Sequence, residues 1–388
     1  MLSILTNFGP GFGPLVRTFD MARRIRQRLE KKLGETVSII VPWVYGDDQL
    51  RILREEASGE PNLSDRVLLS PELGDALRPL LFSGGGFNEE LGTFLRIYKK
   101  QKKQLEDLLK SSLKTVDLKG DISHFEPENI RLEVTRNPVV STGIELSYYS
   151  SVSYYSSIFE ELLECEKVVG LNYGLVGKAV TTVREMEADF RIHFQPVPRC
   201  LSFKDTSQPL FETERETPPL IPLPEVPLEN LERGMYASVS GIPGLSPLYE
   251  EALRLPQTVF TNDRSRGLSE DRIHPPRYIA HPSVDRVFAR AAWNTIWLAN
   301  LTCTPMVCPD HMPEDHPEIL FNLKSVSKMK LAYVWDSQKK SLEEFLTGVP
   351  CGKQKLPKVY EKIRKRFGTL DGLDYCVNMI VEDFLHVG

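Results

Sequence analysis

The chain has 388 residues, 41% hydrophobic and 26% charged, which is enough apolar side chain for a sizeable core and excludes a disordered tail. A formal net charge of −5 argues against a basic nucleic-acid binder. The six cysteines, Cys165, Cys200, Cys303, Cys308, Cys351 and Cys376, are scattered without a paired spacing, so neither a disulfide scaffold nor a zinc ribbon is indicated, and reduced thiols in a cytoplasmic protein are expected.

The opening MLSILTNFGPGFG lacks a basic start and breaks at Gly9 and Pro10, unlike a signal peptide. Ser3–Leu5 reads as a buried strand, Asn7–Pro14 as a glycine-rich loop, Val16–Leu33 as a helix with a basic face, and Thr36–Val41 as a second strand. Strand, glycine loop, helix, strand is one βαβ unit of a parallel sheet. Asp65–Leu69 reads as a strand, Gly84–Gly86 as a loop and Asn88–Ser112 as a long helix. Its lysine run, Lys99, Lys100, Lys102 and Lys103, is either a solvated face or a phosphate or membrane patch. Ser147–Ser157 holds four tyrosines among serines, suited to a polar pocket rim or to a half-buried helix start. Cys165–Leu171 reads as a strand, Gly177–Glu187 as a helix and Phe190–Phe194 as a strand.

Pro209–Pro227 contains PPLIPLPEVPL, an extended tether because proline lacks an amide hydrogen and restricts its neighbour. A linker at 216–227 separates domains 1–215 and 228–388. Beyond it, strands are expected at Gly234–Val239, Thr258–Thr261, Arg277–Ala280, Val284–Ala289 and Pro305–Cys308. Helices are expected at Leu248–Leu253, Asn294–Leu301, Pro317–Val326, Ser341–Phe345, Leu356–Phe367 and Leu373–Leu385, the last amphipathic. The apolar window Ala291–Cys308 carries Trp, Asn and Thr and reads as buried helix and strand, so no transmembrane segment is expected. The expected fold class is α/β, with two Rossmann-like domains facing across a cleft, where open parallel sheets bind ligands.

The segment Ala289–Asn322, ARAAWNTIWLANLTCTPMVCPDHMPEDHPEILFN, carries a resemblance. Trp293, Asn294, Thr295, Pro305, Pro309, Asp315 and Asn322 match in order and spacing the donor-binding core of glycosyltransferases with the GT-B architecture. GMYASVSGIPG resembles the first strand and turn of that donor domain, and NFGPGFGPLVRTFDMARRI the opening loop of the acceptor domain. The resemblance implies an N-terminal acceptor-binding domain, a C-terminal nucleotide-sugar domain, and a last helix that packs back on the first domain. It implies donor-binding roles for Ser240, Gly241, Arg264, Arg290, Trp293, Asn294, Thr295, Asp315 and Glu318, and an acceptor loop of Gly11, Phe12 and Gly13.

The helix starting near Asn294 would aim free amides and its positive end at a diphosphate. Arg290 stands where the family often has a phosphate-binding histidine, and arginine binds diphosphate bidentately. Asn294 and Thr295 read equally as plain helix caps. Phe12 occupies the place of a catalytic histidine in many inverting relatives and cannot take a proton. Base candidates are Asp121, Glu145, and Glu89 or Glu90. His311 and His316 among acidic residues lack a metal-binding spacing, so no metal is expected, and no cofactor either, the nucleotide-sugar being a co-substrate. The reaction implied is sugar transfer from a UDP-sugar to a small-molecule, lipid or glycan acceptor. The alternatives are a nucleotide-sugar epimerase, or a non-catalytic glycosyltransferase-like partner or carbohydrate-binding protein.

Overall fold

The computed structural model describes residues 2–9, 11–60, 62–81, 86–136, 142–165, 170–199, 209–238, 246–263, 267–312 and 317–387. The chain divides into two compact units, one of Met1–Pro196, Ser207–Thr217 and Leu373–Gly388, the other of Val197–Thr206 and Pro218–Gly372.

The first unit runs β1 (Leu2–Asn7), α1 (Phe12–Leu33), β2 (Val37–Pro42), α2 (Gly46–Ala57), β3 (Val67–Ser70), α3 (Pro71–Leu77) and α4 (Phe87–Leu108). It continues through β4 (Leu113–Asp117), β5 (Ile122–Phe125), β6 (Ile130–Thr135), β7 (Ser147–Ser150), α5 (Tyr155–Leu163), α6 (Tyr173–Glu187), β8 (Ile192–Pro196) and β9 (Glu214–Thr217). Its nine strands form one sheet in the order β5-β4-β3-β2-β1-β6-β7-β8-β9. The sheet is parallel from β3 to β9, with β4 and β5 antiparallel at one edge. β1 and β2 are buried along their whole length, as a central strand covered on both faces must be.

The second unit runs β10 (Gly234–Ser238), α7 (Ser246–Leu253), β11 (Thr258–Thr261), β12 (Val284–Ala289), α8 (Trp293–Leu301) and β13 (Met306–Pro309). Then come α9 (Pro317–Met329), β14 (Tyr333–Trp335), α10 (Leu342–Leu346) and α11 (Lys358–Phe367). Its five strands are all parallel, in the order β11-β10-β12-β13-β14. Met235, Val259, Phe288, Val307 and Trp335 form the core with α7 and α10.

The last helix, α12 (Gly372–Val387), belongs with the first unit. It buries Leu373, Val377, Ile380, Val381 and Phe384, each contributing about 2 kcal/mol by transfer. Its first residue must be glycine, because a Cβ there would meet Pro219 O at 2.2 Å. Asp383 locks the helix down, taking Arg191 Nε at 2.6 Å, Arg191 Nη2 at 3.0 Å and Tyr148 Oη at 2.8 Å. The bonds from Arg191 hold the Asp383 carboxyl below its ordinary range. A lowered folded pKa stabilises fully above the unfolded value and is lost as pH falls through the folded one. Asp383→Asn is therefore expected to cost about 1–3 kcal/mol at neutral pH and to converge with the parent in acid, read by denaturant unfolding at two pH values.

Several elements depart from expectation. The glycine loop is shorter: Gly11 turns at φ 94 and α1 already begins at Phe12, so Phe12 and Gly13 are helical, with Pro14 tolerated in the first turn. Arg277–Ala280 is not a strand but part of a 3₁₀ turn, Pro276–Ala280, opened by two prolines. The proline-rich stretch starts later than expected, because Glu214–Thr217 is the edge strand β9. Of Cys165–Leu171, residues 166–169 lie outside the described residues, and Cys165, Gly170 and Leu171 are in no strand. Three of the four tyrosines form no pocket rim: Tyr148 and Tyr149 are fully buried on β7, and Tyr149 and Tyr154 pack with Phe190 and Phe211, while Tyr155 is half-buried with its hydroxyl beside Gly9.

Beneath them Glu187 accepts the Tyr155 N–H at 2.7 Å and the Ser156 hydroxyl, tying the end of α6 to the start of α5. Burial pushes its carboxyl from 4.5 up to about 8. The folded chain thus keeps a proton that the unfolded chain releases, and stability falls as pH rises between those two values. Glu187→Gln is expected to flatten that slope, measured as the denaturant midpoint from acid to mildly alkaline pH.

Candidate functional site

In the second unit the strand order reverses at β10, which has β11 on one side and β12 on the other. Loops leaving such a pair diverge and open a crevice outside the carboxyl ends, where ligands bind. Ser238 lies in register with Ala289, so Arg290–Ala292 emerges beside the chain that leaves β10. That chain contains Ser240 and Gly241, which with Arg264 and Asp315 lie outside the described residues, as do Glu314 and His316.

α8 starts at this crevice without a cap. Its N-cap is Ala292, which offers no side-chain acceptor. Asn294 and Thr295 are the second and third helical residues, so the capping role open to them in sequence is not the one they take. Thr295 N–H turns back to Ala292 O at 3.0 Å, and the amides of Trp293 and Asn294 precede it with no cap among the described residues. The Asn294 Oδ1 is buried with no hydrogen-bond partner among the described residues. A helix start offers N–H donors to an anion, whereas the Asn294 oxygen beside it is an acceptor that suits a hydroxyl or N–H of a ligand.

Asn322 fixes this tip from below. It is fully buried on α9, accepts Trp293 Nε1–H at 2.7 Å and donates to Ala291 O at 2.8 Å. Its Nδ2 also approaches Glu318 Oε1 at 3.4 Å, which brings Glu318, in the first turn of α9, to the same place. Trp293 is 2% exposed, so its indole is part of the support and not a wall for a base to stack on. Arg290 is half-buried just past the end of β12, two residues before the Ala292 N-cap. Sequence reasoning paired Asn322 with the motif but missed this tie, which only its complete burial reveals. Among the described residues no three His, Cys, Asp or Glu side chains gather as metal ligands.

The first unit has the same reversal at β1, between β2 and β6. The turn after β1 carries Phe8 and Gly11, and Gly11 N–H donates to Tyr45 Oη at 2.7 Å. Phe12 is exposed there, its ring centroid 5.0 Å from that of Tyr45. Below the turn Glu133, fully buried and raised in pKa by that burial, takes Asn7 Nδ2 at 3.2 Å, Thr142 Oγ1 at 2.6 Å and Ser147 Oγ at 2.8 Å.

The two principal base candidates are at the other end of the sheet. Asp121 is exposed in the β4–β5 turn; β4 runs antiparallel with Asp117 opposite Leu68, which carries that turn to the amino ends of the parallel strands, four strands from β1. Glu145 is exposed just before β7, again at the amino end. Glu89 and Glu90 lie in the first turn of α4.

No protein-family model and no curated protein sequence matches the chain. Solved structures do. The crystal structure of UGT89C1 from Arabidopsis thaliana complexed with UDP aligns over 99% of this chain and 100% of its own, with a TM-score of 0.57 at 12% identity. UGT71G1 from Medicago truncatula, complexed with UDP-glucose, covers 98% of each chain with a TM-score of 0.55 at 10% identity. The glycosyltransferase SnogD from Streptomyces nogalater covers 99% of each with a TM-score of 0.54 at 12% identity.

The chain has the GT-B fold. No helix among the described residues is long and apolar enough to cross a membrane.

Proposed function

We propose that the chain transfers a sugar from a nucleoside diphosphate-sugar, most simply a UDP-sugar, to an acceptor bound by the first unit. The observation that carries this reading is the start of α8, uncapped among the described residues, at the strand-order reversal of a GT-B chain. UGT71G1 and UGT89C1 were solved with UDP-glucose and UDP, which supports the choice of nucleotide.

In this reading the α8 amides, its dipole and Arg290 take the charge that gathers on the diphosphate as the bond from sugar carbon to phosphate oxygen breaks. Thr295, Asn294 and Glu318 bond the phosphates and sugar hydroxyls, joined by Ser240, Gly241, Arg264 and Asp315 from the adjoining loops. Trp293 acts by holding the helix tip. The acceptor is a small molecule, lipid or glycan seated by the Gly11 turn and the Phe12–Gly13 start of α1. Its proton goes to a group other than Phe12, whose ring takes none. No cofactor or metal enters this scheme, and the reduced cysteines suit a cytoplasmic setting.

The position of Asp121 and Glu145, with Phe12 at the turn, favours a second reading: a GT-B chain that binds the nucleotide-sugar without turning it over. Incubation with UDP-sugars and an acceptor panel, read by mass spectrometry, separates the two. Glycosylated product with release of UDP supports transfer. Saturable nucleotide binding with no product across the panel supports the binding protein, and no binding of either kind ends both.

A further inference from the structure

α4 is a 22-residue helix, and four of its cations form one stripe. At 3.6 residues per turn Arg96, Lys99, Lys100 and Lys103 fall within an arc of about 100°. All four are exposed, while Leu91, Phe94, Gln101 and Leu105 are buried on the opposite side. Among the described residues none of the four meets a carboxylate: Arg96 Nη2 donates to Thr93 Oγ1 at 3.1 Å, and Lys99 lies 5.9 Å from the Tyr98 ring centroid. The pairing on this helix is done by Lys102, off the stripe, with Asp189 at 3.1 Å. No acidic residue occurs between Glu90 and Glu106. Lys100 and Lys103 also border an open depression of about 430 Å³ together with Gln104, Asp107, Leu108 and Ser111, so one exposed carboxylate, Asp107, closes the stripe at its carboxyl end.

We infer that this stripe is a docking surface for an anionic phospholipid bilayer. The cations are spread along about 10 Å of straight helix and do not converge, as a site for one soluble phosphate requires. Lysine stems let the charges reach a plane of headgroups while their methylenes stay on the helix. Four to eight basic residues on an amphipathic helix make such a surface. The edge of the unit that would face the lipid is also defined. β4 starts at the carboxyl end of β3, and Lys114 N–H bonds Glu72 Oε2 at 2.8 Å, so the end of α4 lies on the same side of the sheet as the Gly11 turn.

The test is flotation of the full chain with vesicles of phosphatidylcholine alone and with added phosphatidylserine. Binding is expected only to the anionic vesicles and is expected to weaken with salt. Each lysine near such a surface is worth about fivefold in partition, so Lys99→Glu with Lys103→Glu is expected to reduce binding by more than about 25-fold. Lys31→Glu with Lys32→Glu, at the exposed end of α1, makes the same change in net charge and is expected to bind nearly as the parent. Equal binding to both vesicle types, equal loss in both double variants, or displacement by millimolar inorganic phosphate at constant ionic strength overturns the inference.

Discussion

Asn322→Ala is expected to lower the stability of the second unit by about 2–5 kcal/mol and to abolish nucleotide binding at concentrations that saturate the parent. The side chain is fully buried and has two short bonds to the chain around the α8 tip, one to the Trp293 indole and one to the Ala291 carbonyl. Truncation leaves a buried donor and a buried acceptor unpaired, each costing about 1–3 kcal/mol, and opens a small cavity. Calorimetric unfolding should show a transition about 5–15 °C lower. Trp293→Phe is the milder companion, because it keeps an aromatic ring in the core and removes the indole donor. An unchanged midpoint in Asn322→Ala would mean that α9 does not hold the start of α8.

Arg290→Gln is expected to leave the fold intact and to weaken binding of a nucleoside diphosphate roughly ten- to hundredfold, the value of one charge-assisted hydrogen bond. The residue is half-buried just past the carboxyl end of β12, two residues before the Ala292 N-cap, and in the proposed reading its guanidinium meets the phosphates. The effect should be absent for the uncharged nucleoside, and Arg290→Lys should fall between, since an ammonium keeps charge but loses the bidentate fork. Equal weakening of nucleoside and nucleotide would place Arg290 away from the phosphates. These comparisons also separate charge from packing, because Asn322→Ala acts through stability and Arg290→Gln does not.

The parts of the fold visible in sequence were those whose physics is local. Val37–Pro42, Val284–Ala289 and Gly234–Ser238 are buried parallel strands, written as short apolar runs between turns. α12 was visible from its apolar periodicity, and α8, apolar all round, from the resemblance carried by its Trp-Asn-Thr start. β6 was not, although it pairs directly with β1, because its centre carries Glu133, a residue that is charged in sequence and entirely buried with three hydrogen-bond donors in the fold. The tyrosine stretch misled for the opposite reason: aromatic rings with hydroxyls suit a wet rim, yet Tyr148 and Tyr149 alternate across a core strand whose partners come from distant segments.

The site was legible in outline and not in its supports. Asn294 and Thr295 were marked out by order and spacing and Arg290 as a departure from the pattern, and the chain places all three around one helix tip. The contact of Asn322 with Trp293 spans 29 positions and depends on how α9 packs, which no spacing rule encodes. Asp121 failed on topology alone. Its distance from β1 follows from an antiparallel hairpin, β4–β5, that leaves no mark in a reading based on parallel βαβ units.

Titration of the intact chain with UDP and with uridine, followed by calorimetry, addresses the α8 tip most directly. UDP is expected to bind at least about 100-fold tighter than uridine, as two or more charge-assisted bonds to phosphate require. UDP binding no tighter than uridine, or no binding of UDP to the folded chain, would contradict the account.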